Sequence, residues 1–196
     1  MKKTKKPNFK KEREFDQRIV DLARVTRVMA GGKRLRFRAT VVVGDKRQRV
    51  GIGIGKGADV TLAISKAVKV AEKNMINTPI VNTSIPCEVK EKFKAAKILL
   101  KPAKPGTGII AGGAVRTVLE LSGLKDVVGK IYGSKNKINN VKATINALKK
   151  ITKMVDKKRA IEKKNAKEKN EKENNKKEEK RNDSLKNTSE KFKSKK

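Results

Sequence analysis

Arg34-Leu35-Arg36-Phe37-Arg38-Ala39-Thr40-Val41 is the stretch on which the fold turns. Its charged and apolar residues alternate almost strictly. Side chains leave a β-strand on opposite faces in turn, so Arg34, Arg36 and Arg38 share one face and Leu35, Phe37, Ala39 and Val41 the other. The segment therefore predicts a half-buried strand with a positive outer side. The β-branched runs Val41-Val42-Val43 and Val50-Gly51-Ile52-Gly53-Ile54 flank Gly44-Asp45-Lys46-Arg47-Gln48-Arg49, a pattern that predicts a hairpin. Upstream, Val20, Leu22, Val25 and Val28 alternate loosely with charges until Ala30-Gly31-Gly32-Lys33 breaks the run. After Gly57 the period changes. Val60, Ala63, Ile64, Ala67, Val70, Ala71 and Met75 recur at helical spacing up to Asn77, with Lys66, Lys69 and Lys73 opposite and Asp59 at the N-cap position. Strands followed by an amphipathic helix make an α+β module.

Thr78-Pro79 and Ser84-Ile85-Pro86 bracket a linker, taken as 79–86. Beyond it, Cys87-Glu88-Val89 and Ala96 to Leu100 read as paired strands. Ala111-Gly112-Gly113-Ala114 opens an apolar helix that Ser122-Gly123 stops. Val127 to Tyr132 reads as a strand and Ile138 to Ile151 as a second helix. The expected organisation is an arm over 1–14, an α+β domain over 15–78, the linker, a second α+β domain over 87–155 with both helices on one sheet face, and a disordered charged tail over 156–196.

The chain carries 53 Lys and Arg against 20 Asp and Glu, a net charge of +33. Such an excess repels itself unless something densely negative lies beside it, and nucleic acid is the obvious candidate. Most of that charge belongs to residues 1–155 rather than to the tail. The chain lacks the long apolar run of a membrane span and the apolar stretch of a signal peptide, so a cytosolic location without membrane association is expected. Histidine is absent and Cys87 is the single cysteine. Histidine triads, His/Cys zinc sites and CxxC pairs are thereby excluded, and Cys87 reads as a small apolar residue buried in a strand.

Gly51-Ile52-Gly53-Ile54-Gly55-Lys56-Gly57 resembles a nucleotide loop but fails on spacing. Three residues, not four, precede Gly-Lys, and Gly57 stands where Ser or Thr is required. The expectation is that Gly53 and Gly55 let a phosphate backbone approach and that Lys56 neutralises it, against the plainer reading of close packing. The Arg34, Arg36 and Arg38 stripe is expected to hold RNA phosphates, with Lys66, Lys69 and Lys73 as weaker candidates. Gly106-Thr107-Gly108-Ile109-Ile110-Ala111-Gly112-Gly113 precedes a helix and fits equally an anion site at the helix start or a tight turn with close packing of the glycine-rich helix end. No enzyme activity, metal, cofactor or small-molecule substrate is expected.

The run Gly31-Gly32-Lys33, Phe37-Arg38-Ala39, Val42-Val43-Gly44-Asp45, Arg49-Val50-Gly51 and Gly55-Lys56 resembles the bacterial small-subunit ribosomal protein number five. So do Lys73-Asn74-Met75-Ile76, the stretch from Pro102 to Arg116, and Tyr132-Gly133-Ser134 with Asn136, Ile138-Asn139 and Ala143-Thr144. The resemblance runs collinearly over about 15–150. It implies a first domain like double-stranded-RNA-binding folds and a second with a left-handed βαβ crossover. It implies small-subunit rRNA as ligand, with Arg24, Thr26, Arg27, Lys33, Lys46, Arg47 and Arg49 joining the contacts named above. Ribosomal proteins four and eight would be neighbours, and the role would be subunit assembly and decoding accuracy near the path of incoming messenger RNA. The loop from Val25 through Thr26, Arg27, Val28, Met29, Ala30, Gly31 and Gly32 to Lys33 would reach towards the spectinomycin site. Gly106, Thr107, Gly108 and Arg116 would lie at the protein-four boundary. A regulator of duplex RNA outside the ribosome is the alternative. Two departures stand out. Lys46-Arg47-Gln48 occupies a hairpin where the family commonly has glycine, which predicts a wider loop whose charges reach RNA. Lys137 stands where proline is frequent, which removes a rigid first residue from the last helix.

Overall fold

The structure, a computed structural model, describes residues 15–161. The expected arm over 1–14 and the tail from 162 onward lie outside the described residues. Four strands build the first sheet in the order β1-β2-β3-β4, all antiparallel: β1 (Asp16–Met29), β2 (Gly32–Gly44), β3 (Arg49–Gly57) and β4 (Ile76–Asn77). Helix α1 (Val60–Lys73) packs on one face. The face is set by the alternation in β2. Ala39, Val41 and Val43 form a buried cluster with Ala63, Ala67 and Ala71 of α1, and Phe15, Phe37, Ile64, Val68 and Met75 pack around it.

Two expectations for this half are corrected and one is refined. The loop expected over Val25–Lys33 is paired strand: Val25 to Met29 lie opposite Arg36 to Gly32, with only Ala30 and Gly31 turning between them. The helix expected to reach Asn77 ends at Lys73, and Ile76-Asn77 instead pair with Val50 and Arg49 as the fourth strand. Asp59 does stand at the N-cap, but its side chain makes no capping bond; its carbonyl accepts the Ala63 N–H at 3.0 Å.

The second sheet has the order β5-β6-β8-β7. It comprises β5 (Val89–Phe93), β6 (Ala96–Pro102), β7 (Ile109–Ile110) and β8 (Val127–Gly133), with α2 (Gly113–Leu121) between the parallel pair β7 and β8. Cys87 falls in a bend before β5 and is half-buried, so the strand expected there begins two residues later. Helix α3 covers 137–161. Residues 156–161, expected to begin a disordered tail, are thus helical. Asn136 supplies the start that Lys137 was expected to weaken, because its Oδ1 accepts the Ile138 N–H at 3.0 Å, a side-chain cap in place of proline. Ala96, Ile98 and Leu100 of β6 are buried on the inner face, where Val115 of α2 meets Gly129 and Lys150 of α3 binds Glu91.

Both sheets belong to one compact unit that extends to Lys153. The 45–48 hairpin loop docks on the end of α2: the Lys46 N–H donates to the Leu121 carbonyl at 3.0 Å, and a Cβ on Gly44 would lie 2.2 Å from that same oxygen. The 79–86 segment is folded back by Asn82 and Thr83, both at positive φ, and tied to Asp126. It is a built turn, held to the second sheet, where a linker was expected.

Candidate nucleic-acid interface

β3 ends its pairing with β2 at Gly57 opposite Phe37, whereas β1 and β2 continue together to Met29 and Gly32. The result is a two-stranded ribbon extending past the rest of the sheet, its tip marked by the exposed Val28, Met29 and Leu35. Register fixes which charges share a side. Arg27 lies opposite Arg34, Val25 opposite Arg36, Ala23 opposite Arg38, and Arg38 opposite Lys56. Arg27, Arg34, Arg36, Arg38 and Lys56 therefore occupy the face away from α1. Four of them, all but Arg38, line one open groove of about 370 Å³ together with Val25, Thr26 and Met29. Like charges placed directly across a strand pair destabilise it. The Arg27–Arg34 pair is tolerable because both heads reach solvent, and it becomes favourable only when a polyanion lies between them.

One carboxylate, Asp21, answers these cations. It pairs with Arg38 at 3.7 Å and with Lys137 at 3.4 Å. Arg38, expected among the free RNA contacts, is thus partly engaged, and its buried Nε has no partner among the described residues. Arg24 and Lys33 lie on the other side of the ribbon, opposite Phe37 and Val28, whereas Thr26 shares their register side but still borders the groove. Lys66, Lys69 and Lys73 are exposed on the outer side of α1.

Gly53 and Gly55 belong to neither side of the groove, which corrects the reading that a phosphate backbone passes over them. Each glycine of β3 faces α1. A Cβ on Gly53 would stand 1.8 Å from the Ala67 carbonyl oxygen, and one on Gly55 would stand 2.2 Å from that of Ala63. The alternating glycines and the alanines of α1 are the two halves of one close contact. Lys56, pointing the other way, does reach the groove.

The 46–49 cations sit at the far end of β2, roughly 25 Å from Arg36 at strand rise. Asp45 organises them. Its Oδ1 accepts the N–H groups of Arg47, Gln48 and Arg49 at 2.8, 2.9 and 2.9 Å, and its Oδ2 accepts Arg49 Nε at 2.9 Å. Partial burial alone would push this carboxyl up. The Gln48 amide, the Arg49 guanidinium and the Arg49 and Arg47 amides outweigh it, holding the group far below the usual carboxylate range. This cage lets Lys46 take φ +55° without glycine. It also spends charge internally. Lys46 pairs with Asp16, and Arg49 lies 5.1 Å over the Phe15 ring, so among the described residues Arg47 is the loop's cation without an ionic partner. A depressed folded pKa means that stability is present above the unfolded value, about 3.9, and is lost as pH falls below it. Asp45→Ala should accordingly cost about 2 kcal/mol at pH 7, and that gap should close progressively below about pH 4 in denaturant melts followed by circular dichroism.

Gly106 and Gly108, at φ +89° and +74°, both donate their N–H to Asp126 Oδ1 at 3.0 Å, and Thr107 N–H donates to the Lys104 carbonyl. These three amides are taken, so the tight-turn reading fits the Gly106–Gly108 part of the segment. The Thr83 hydroxyl and the Gly108 amide, against some burial, hold the Asp126 carboxyl below its ordinary pKa. Arg116 bonds Glu120 at 2.8 Å, and Glu120 in turn pairs with Arg18 of β1.

Sequence reading also missed a second basic face. Lys90, Lys92, Lys97, Lys101, Lys130 and Tyr132 are exposed on the outer side of the second sheet. The signal was present in the alternation of Lys97-Ile98-Leu99-Leu100-Lys101. Among the described residues there is no His, Cys, Asp or Glu cluster able to hold a metal, and no helix is long and apolar enough to cross a membrane.

Comparison with known proteins gives consistent matches. The family model described as ribosomal protein S5, N-terminal domain, matches residues 15–79, and the one for the C-terminal domain of the same protein matches 91–160. The chain is 53% identical over 157 residues to small ribosomal subunit protein uS5 of Mycoplasma mobile, covering 76% of this chain and 65% of that protein. It is 48% identical over 141 residues to uS5 of Chloroflexus aurantiacus, covering 72% of this chain and 79% of the relative. It is also 48% identical over 151 residues to uS5c of Guillardia theta, covering 76% and 89%.

Proposed function

The chain belongs to the ribosomal protein S5 family, and on that premise we propose that it is a non-catalytic, rRNA-binding constituent of the small ribosomal subunit, acting in the cytoplasm. The observation that carries this reading is the ribbon groove, where Arg27, Arg34, Arg36 and Lys56 converge without a carboxylate among the lining residues. Such a surface fits phosphate oxygens, which arginine can hold in bidentate geometry. The two matched segments agree with two α+β modules joined by the Asp126-anchored turn. With the family reading go a first module of double-stranded-RNA-binding type and a left-handed crossover through β7, α2 and β8. The full chain should co-sediment with small subunits at one copy per subunit in moderate salt. Recovery only at the top of a sucrose gradient would refute the assignment.

The finer role is assembly of the subunit and accuracy of decoding near the path of incoming messenger RNA, with ribosomal proteins four and eight as neighbours. The ribbon tip from Val25 to Lys33 would approach the spectinomycin site. Gly106, Thr107, Gly108 and Arg116 would form the protein-four boundary. Arg116 supports that placement by its exposure, since it contacts nothing but Glu120 among the ion pairs of the described residues. Arg116→Ala should change misreading in a reporter assay without impairing assembly; parental misreading in normally assembled subunits would remove this role.

A further inference from the structure

The outer face of the second sheet has no assigned partner, and its pattern is specific. β6 turns Lys97, Leu99 and Lys101 outward, and β8 turns Val128, Lys130 and Tyr132 outward. Register places Lys97 beside Tyr132, Leu99 beside Lys130, and Lys101 beside Val128. Lys90 and Lys92 of β5 continue the row beside Leu99 and Lys97. Tyr132 is 50% exposed near the end of β8, with Lys97 beside it on one side and an open edge on the other, because β7 pairs only with Val127 and Val128. A concavity of about 420 Å³ opens where its ring, Leu99 and Lys97 meet. The one carboxylate pairing on this side is Glu88, which touches Lys101 at 3.3 Å and Lys90 at 4.0 Å. Glu91 also borders the concavity, but its carboxylate is engaged by Lys150 at 3.0 Å.

We propose that this face is a second RNA contact, which holds a single-stranded segment of rRNA by stacking a base on Tyr132 while Lys97, Lys101 and Lys130 neutralise the flanking phosphates. The inference rests on the RNA-binding reading above. Charge complementarity selects a polyanion. Five lysines share the face with the ring, Lys97 directly beside it and Lys101 further along beside Val128. Lys90 and Lys92, two residues apart on one strand, sit roughly 7 Å from each other. The exposed aromatic ring selects an unpaired strand, because a base must leave its own stack to lie on a side chain. The face carries lysines and apolar groups but no arginine, asparagine or glutamine to read base edges, so recognition is tolerant of sequence. Ribosomal RNA is the source because the ribbon groove and this face belong to one compact unit. Once the groove is engaged, a neighbouring strand of the same RNA meets the second face at high effective concentration.

Tyr132 is the only tyrosine of the chain, which has no tryptophan, so intrinsic tyrosine emission reports on this position alone. Titrating the full chain with a short unstructured RNA oligonucleotide at low salt should quench that emission to saturation. Lys97→Ala with Lys130→Ala should weaken the quenching titration about tenfold, and Tyr132→Leu should weaken binding of labelled RNA by a similar factor. If labelled RNA binds the parental chain while its tyrosine emission stays constant, this face is not a contact, although the RNA-binding reading survives. If no RNA binds at all, that reading falls and this inference with it. Quenching by polyglutamate but not by RNA would identify an acidic protein partner and overturn the proposal. On salt-washed small subunits free of messenger, ultraviolet crosslinking should join the peptide containing Tyr132 to rRNA; a crosslink that appears only after messenger is added would overturn the choice of rRNA.

Discussion

Gly53→Ala should destabilise the protein by about 3 kcal/mol, at the upper end of the cost of overpacking a dense contact, and lower its melting temperature by roughly 6–12 °C. The new methyl would meet the Ala67 carbonyl oxygen at 1.8 Å and the Ala71 nitrogen at 2.7 Å, and both are backbone atoms that no side-chain rotation can move aside. The sign is what makes the experiment decisive. An exposed strand glycine replaced by alanine gains stability, by about 0.4–1 kcal/mol, because the unfolded chain loses freedom. If β3 offered its glycines to a phosphate backbone, the substitution would be neutral or stabilising and would weaken RNA binding. Under α1 it must push the helix off the sheet. Gly31→Ala is the internal control, since a Cβ there meets nothing within 4 Å. Parallel scanning calorimetry of the two variants measures the difference.

The same glycines show where sequence was legible and where it was not. The alternation through Arg34 to Val41 carries enough information to place both faces of β2, because a period of two allows only one assignment once the apolar face is known. The switch to helical spacing places Ala63, Ala67 and Ala71 together. That the glycine column of β3 opposes the alanine column of α1 is a tertiary fact. Gly-x-Gly-x-Gly has the same appearance whether the missing side chains make room for a helix or for a phosphate. Ile76-Asn77 became a strand because β3 had a free edge, and local pattern at Met75 does not carry that knowledge. The expectation of a loop over Val25 to Lys33 rests on the family resemblance alone; the loose alternation of Val25 and Val28 with charges is too weak, on a ribbon with so little burial, to show that it is paired strand. Asp45 was unreadable as the organiser of its loop for a different reason: four bonds converge on it only after the hairpin closes. The basic face around Tyr132 was missed because Lys97 and Lys101 of β6 lie far along the chain from Lys130 and Tyr132 of β8, and the two strands meet only through their register.

Removing Arg27, Arg34, Arg36 and Lys56 together by alanine substitution should lower affinity for a small-subunit rRNA fragment about a thousandfold near 0.1 M salt. It should also reduce the log–log salt slope by about one unit for each lost phosphate contact. Both numbers follow from counterion release: each neutralised phosphate frees about one condensed cation, and the free energy gained disappears as bulk salt rises. The fold should not suffer. Arg27 and Arg34 repel each other across the ribbon, so their removal relieves about 0.2–1 kcal/mol, and unchanged or slightly raised melting temperatures would separate lost binding from lost structure. Substituting Lys46 and Arg49 instead should behave in the opposite way. Those side chains are already paired with Asp16 and Asp45, so their loss should loosen the hairpin while leaving most of the salt slope intact. The comparison tests whether charge placed on a projecting, self-repelling ribbon, rather than total positive charge, is what this protein uses to hold RNA. Equal slopes for the two variants would mean that the +33 of the chain acts as a diffuse cloud and that the groove has no special part in it.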